Sequence, residues 1–204
     1  MNTGKMVKVV KNFISNEEVK SLNQWTLKNY RNRYFINPKM DTYEKQTRFS
    51  TRQICDSGYP KFNDDIKYPK ESYEIQKRLL EYLKLPNESI APPPSFTDGI
   101  SSCISFSPGY CHSHKDPIWV LDTFTLHCNF ITQKPRSGGY FIANNRKYDI
   151  DVGDMLMYIT SHTYHGASDV MGDIPRIIWS FGFCILKEEL ESIFDHQKTN
   201  FNYY

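Results

Sequence analysis

Near residue 96 the pattern of apolar and polar positions changes character: helical spacing dominates before it, and short alternating runs after it. The chain opens with "MVKVVKNF", where β-branched Val7, Val9 and Val10 predict a strand. Ser15 and Glu18 then stand at the spacing of a capping box, with Phe13 or Ile14 placed to staple it. Val19, Leu22, Trp25 or Thr26, and Tyr30 follow at helical spacing, which predicts a helix over residues 16–30. Residues 31–69 hold no sustained period and are rich in Arg, Tyr, Asn and Pro, so they read as loop with short strands. A long irregular segment of this kind often serves as a lid or binding loop. "SYEIQKRLLEYLKL" restores helical spacing through Ile75, Leu79 and Leu83, with Pro86 as its stop, and "APPPS" is an extended breaker.

From residue 96 onward, "GISSCISF", "FTLHCNFI", "GGYFIANN", "MLMYIT" and "RIIWSFGFCIL" are short runs divided by Gly, Pro, Asp and Asn. Such runs predict an antiparallel sandwich or barrel. "KEELESIFDHQ" predicts a closing helix. The fold class is therefore α+β, mainly β, in one domain spanning 1–204. Residues 1–95 supply a strand, helices and a lid-like segment, 96–186 the β core, and 187–204 a helix and tail.

Composition sharpens this picture in a few places. At 204 residues and 39% hydrophobic, the chain can bury a full core, and 14 Tyr with 13 Phe favour strands. A formal charge of +2 is too small to argue for nucleic acid as a partner. No apolar run reaches the length needed to span a bilayer, and the N-terminal stretch lacks the apolar region of a secretory signal. The five cysteines include no C-x-x-C pair, so reduced thiols in a cytoplasmic protein are expected.

The chemistry gathers around "CHSHKDP", residues 111–117. His114 and Asp116 are two apart, so on a strand both would leave the same face. A further histidine is offered by "SHTYHGASDV", as His162 or His165. Two histidines and one carboxylate leave adjacent metal positions open, the pattern of non-haem Fe(II) oxygenases, whereas a structural zinc site is closed by four protein ligands. Arg176 heads an apolar strand, and a guanidinium there calls for an anionic partner, such as a dicarboxylate co-substrate held at its far end. A metal-holding sensor module without turnover and a zinc-dependent hydrolase are the competing classes. Intact ligands speak against the first, and Arg176 has no role in the second.

Taken in order, H-x-D, a gap, His, some ten residues and then Arg, the sequence resembles the 2-oxoglutarate/Fe(II)-dependent dioxygenases, specifically their prolyl-hydroxylase-like branch. The likeness runs through Asn129, Gly138 and Gly139, Gly153 and Asp154, His165 and Gly166, Val170, Gly172 and Arg176. The opening "VVKNFISNEEVKSL" also resembles that branch, and the likeness is weakest over 31–95.

The resemblance implies a double-stranded β-helix (jelly-roll or cupin-like) core with N-terminal helices packed against it. It implies His114, Asp116 and His165 as iron ligands, and Arg176 as the partner of the distal carboxylate of 2-oxoglutarate. His127, where relatives often carry Tyr or Arg, and Asn129 on the same face would also contact the co-substrate. Fe(II), 2-oxoglutarate and dioxygen would be the cofactors, with ascorbate as a supporting reductant. Hydroxylation of a small molecule or a peptide would then give succinate and carbon dioxide. Asp116, which related halogenases lack, favours hydroxylation. Arg52 and Trp119 are candidate substrate contacts, joined by Arg48, Tyr34, Tyr43 and Phe49 in the irregular segment. His112, His162 and Cys111 are expected as neighbours rather than ligands.

Overall fold

A computed structural model describes residues 6–31, 47–51, 66–91, 99–116 and 122–195. In chain order its elements begin with β1 (Val7–Val10), α1 (Asn16–Asn29), β2 (Arg48–Ser50), α2 (Lys70–Leu83), β3 (Ile100–Ser105), β4 (Cys111–His114) and β5 (Phe124–Gln133). They continue with β6 (Ser137–Gly138), β7 (Phe141–Ala143), β8 (Arg146–Tyr148), β9 (Met155–Ile159), β10 (His165–Ala167), β11 (Val170–Met171), β12 (Arg176–Ile185) and α3 (Lys187–Asp195).

The strands form a large sheet in the order β1-β9-β5-β12-β3-β2, a small sheet in the order β4-β10-β7-β8, and the pair β11-β6. All pairings among them are antiparallel. Four central strands of the large sheet lie over the four strands of the small one, the double-stranded β-helix anticipated above.

Each large-sheet strand sends alternate side chains to opposite sides. On one side, Trp179, Phe181, Phe130 and Ile104 join Leu22 of α1 and Ile75 of α2 in the larger hydrophobic cluster. On the other, Ile131, Leu156 and Tyr158 meet Phe141 and Ala143 of the small sheet. The helix side also buries a polar knot. Thr26 Oγ1 donates to Leu22 O, shares a 2.8 Å bond with Ser102 Oγ, and accepts from Trp179 Nε1 at 3.1 Å.

The capping box forms as the sequence predicts: Glu18 N donates to Ser15 Oγ, and Ser15 N donates to Glu18 Oε2. The Gly153-Asp154 turn anchors the chain between β1 and α1. Gly153 O accepts from Phe13 N and Ile14 N, and buried Asp154 takes Asn12 N at 3.0 Å and Lys11 Nζ at 2.7 Å.

Three expectations need correction. The second helix begins at Lys70 and ends at a left-handed Lys84 (φ 56), before Pro86 can stop it. The run "GGYFIANN" is broken: Asn144 (φ 47) and Asn145 (φ 63) turn the chain into a β7–β8 hairpin, because paired left-handed residues match the strands' twist. Asp116 lies beyond the end of β4 rather than on it. Arg52, Trp119, Tyr34 and Tyr43 lie outside the described residues.

Candidate metal centre

Antiparallel pairing of β4 with β10 sets His114 directly opposite His165, with ring centroids 4.5 Å apart. This close approach depends on Gly166. A Cβ there would stand 2.5 Å from Cys111 O and 3.0 Å from His112 O, so the residue after His165 must be bare for the strands to meet. Asp116 joins them from beyond β4, where its backbone N–H donates to Thr160 O at the end of β9. Asp116 Oδ1 lies 3.4 Å from His114 Nε2 and 3.9 Å from His165 Nε2. One ligand atom from each of the three residues lies within 4.8 Å of the other two, a set able to hold a metal ion.

The imidazoles are oriented for this. His114 Nδ1 lies 2.7 Å from His112 O, and His165 Nδ1 lies 2.9 Å from Thr163 O. A carbonyl only accepts, so each Nδ1 carries a proton, and each Nε2 faces the cluster, where it gives up any proton of its own to hold a metal. The Asp116 carboxylate, helped by Cys111, raises the His114 pKa to about 10, so an ion binding at this nitrogen displaces a proton. Asp116 and His165 are buried and His114 is half-buried.

Arg176 opens β12 and is 5% exposed, yet among the described residues its Nε meets no hydrogen-bond acceptor. Burial lowers its pKa to about 10. Gly139 (φ +64) makes room for its stem, since a Cβ at that position would lie 2.9 Å from Arg176 Cδ. Arg176, Ser105 and Arg48 stand in one row across β12, β3 and β2.

His127 and Asn129 lie on the same side of β5, as expected. His127 Nε2 is 3.7 Å from Asp116 Oδ2, and Asn129 Nδ2 donates to Tyr158 Oη at 2.8 Å. Tyr158 escapes a reading of the sequence. Its ring stands 4.9 Å from that of His165 and 5.7 Å from that of His127, and the signal for it is the alternation of "MLMYIT" opposite His127.

The other neighbours fall outside the cluster. His112 is exposed and pairs with Tyr110 Oη at 2.8 Å, and His162 pairs with Ser161 Oγ at 2.8 Å. Arg48 donates to the sulfurs of Cys103 and Cys111, each at 3.4 Å. Burial opposes ionisation of Cys111, but Arg48 and His114 outweigh it and lower its pKa to about 7.

No family model matches the chain, and no curated protein matches it by sequence. Solved structures do match. The viral collagen prolyl hydroxylase of Paramecium Bursaria Chlorella virus-1, in its 2OG complex, gives a TM-score of 0.59 at 15% identity, covering 90% of this chain and 98% of its own. A prolyl hydroxylase from Trichoplax adhaerens, in complex with a hypoxia inducible factor oxygen degradation domain peptide fragment, gives 0.59 at 13% identity, covering 92% and 87%. HygX from Streptomyces hygroscopicus, with nickel and 2-oxoglutarate bound, gives 0.55 at 12% identity, covering 89% and 84%. At these identities the likeness establishes a shared fold.

Proposed function

We propose that this chain is an Fe(II)- and 2-oxoglutarate-dependent oxygenase. It would hydroxylate an unactivated C–H bond of a small molecule, such as an amino acid, or of a prolyl or other peptidyl substrate, releasing succinate and carbon dioxide. The observation that carries the reading is the cluster of His114, Asp116 and His165, whose ligand atoms lie within 4.8 Å of one another. Two imidazoles and one carboxylate suit Fe(II) and leave positions free for exogenous ligands. The 2OG complex of the viral enzyme and the nickel and 2-oxoglutarate of HygX support the same assignment by analogy of fold.

The chain's own residues divide the work. His114, Asp116 and His165 hold the metal, with each imidazole fixed by its carbonyl partner. Arg176 is suited to the far carboxylate of 2-oxoglutarate, because an anion would supply the partner its buried Nε lacks among the described residues. Asn129 and Tyr158 add polar groups on the same side. When bound, iron supplies the oxidising chemistry with dioxygen and the keto acid, while the protein positions the reactants and excludes water. The peptide held by the Trichoplax enzyme supports a peptidyl substrate as one of the two classes. Free Cys103, Cys111, Cys128 and Cys184 favour a reducing, cytoplasmic setting.

The test is anaerobic addition of Fe(II) and then 2-oxoglutarate to the purified protein. A visible charge-transfer band is expected only when both are present. Absence of that band, with zinc held tightly instead, would overturn the reading.

A further inference from the structure

The carboxylate of Asp116 is divided between two neighbours. Its Oδ1 is the oxygen near His114 Nε2 (3.4 Å) and His165 Nε2 (3.9 Å), while its Oδ2 lies 3.7 Å from His127 Nε2. His127 belongs to the opposite sheet. It sits on β5 between Gly182 of β12 and Tyr158 of β9, is 2% exposed, and its ring stands 6.5 Å from that of His165. Asp116 lies past the end of β4, outside the strand ladder, with its backbone N–H held by Thr160 O.

We infer that His127 is a positioning residue for Asp116: its Nε2, 3.7 Å from Oδ2 and short of hydrogen-bond contact, is the group placed to engage that oxygen when Oδ1 holds a metal, which would keep Oδ2 off the ion. The inference rests on the metal reading above and changes the role of His127 from co-substrate contact to support of a ligand. The physical reason is geometric. A carboxylate free to rotate can bind through both oxygens and occupy a position that dioxygen or the keto acid needs. A donor on one oxygen removes that choice and fixes the other. Hydrogen bonds to metal-ligating side chains govern affinity as well as geometry, and losing one costs about 10- to 100-fold in metal affinity.

Mn(II) titration of the whole protein, followed by electron paramagnetic resonance of the free ion, tests this without turnover. Gln carries its amide nitrogen where His carries Nε2, and Asn carries its own where His carries Nδ1. His127→Gln should therefore keep near wild-type affinity, while His127→Asn and His127→Leu lose about 10- to 100-fold. Melting curves on the same samples identify any variant that fails to fold, and the Gln and Asn pair decides the matter if Leu does. Equal affinity in the Gln and Asn variants, or wild-type affinity in the Leu variant, overturns the inference. Asp116→Ala run alongside separates the two levels. If it loses Mn(II) while His127→Leu does not, the metal reading stands and the positioning role falls. If wild type binds no Mn(II), or Asp116→Ala binds it unchanged, the triad reading falls and takes the inference with it.

Discussion

Side chains that leave β12 toward α1 are Ile177, Trp179, Phe181 and Phe183, all fully buried, whereas those leaving toward the small sheet are Arg176, Ile178 and Ser180. The same split runs through β5, with Leu126, Cys128 and Phe130 on the helix side and His127 and Asn129 on the other. On the helix side buried Thr26 has partners in Leu22, Ser102 and Trp179, while Asn23 Oδ1 and Arg78 Nε on the helices themselves are buried without one among the described residues. The side facing the small sheet leaves Arg176 Nε and Asn129 Oδ1 buried without a hydrogen-bond partner among the described residues. Buried polar groups are normally satisfied, and what sets this side apart is that its orphaned guanidinium nitrogen shares a face with the residues around the His114, Asp116 and His165 cluster. One sheet thus packs its apolar side against the helices and turns its polar side toward the metal cluster.

Substitutions can be chosen to break one side without the other. The largest expected effect is on the helix side. Trp179→Ala should cost about 3–5 kcal/mol in denaturant unfolding through the cavity it leaves, while co-substrate KM in the folded fraction stays unchanged. On the side facing the small sheet, Arg176→Met should raise the 2-oxoglutarate KM about 10- to 100-fold, the worth of hydrogen bonds to a charged group. The melting temperature of the unliganded protein should hold or rise, because a buried cation whose Nε has no acceptor among the described residues is removed. An unaltered KM would assign the clamp to another cation. Thr26→Val should cost about 1–3 kcal/mol, since it strands the Trp179 N–H and Ser102, and activity per folded molecule should not change.

The smallest effect belongs to Lys11→Ala, which removes ion pairs to Asp151 and Asp154 remote from both faces. Lys11 is 61% exposed, so the loss should stay below about 1 kcal/mol. Hydrogen bonding to Lys11 lowers the Asp151 pKa, and Asp154 and Asp151 raise that of Lys11. A depressed carboxylate stabilises above its unfolded pKa and loses that contribution as pH falls through its folded value. A raised ammonium stabilises below its unfolded pKa and loses that contribution as pH rises through its folded value. The difference between wild type and variant should therefore be flat near neutrality and shrink at both extremes, as pH-dependent melting curves would show.

Legibility in the sequence followed the range of the interaction. α1 could be read because its cap and its apolar spacing are local, and β5, β9 and β12 because each is long enough to show a run. β6, β10 and β11 are two or three residues long and carry no period of their own. The end of α2 at Lys84 gave no warning, since a left-handed cap is usually announced by Gly. The ligands were legible through spacing and resemblance together. The pairing of His114 with His165 and the distance from His127 to Asp116 are products of register and sheet stacking, which no local pattern encodes. Tyr158 belongs with these: only the register of β9 against β5 shows which way it faces.

The opposition of His114 and His165 across β4 and β10 also bears on how firmly the small sheet is held. A slip of one residue between these strands would send one imidazole to the far side, so an ion held by both Nε2 atoms acts as a clasp that recognises correct register. Such a clasp binds the folded chain and not the unfolded one. Its contribution grows as RT ln(1 + [M]/Kd), about 2.7 kcal/mol at a free-ion concentration 100 times Kd. The melting point of this protein would then serve as a gauge of ion supply, readable with neither co-substrate nor oxygen present.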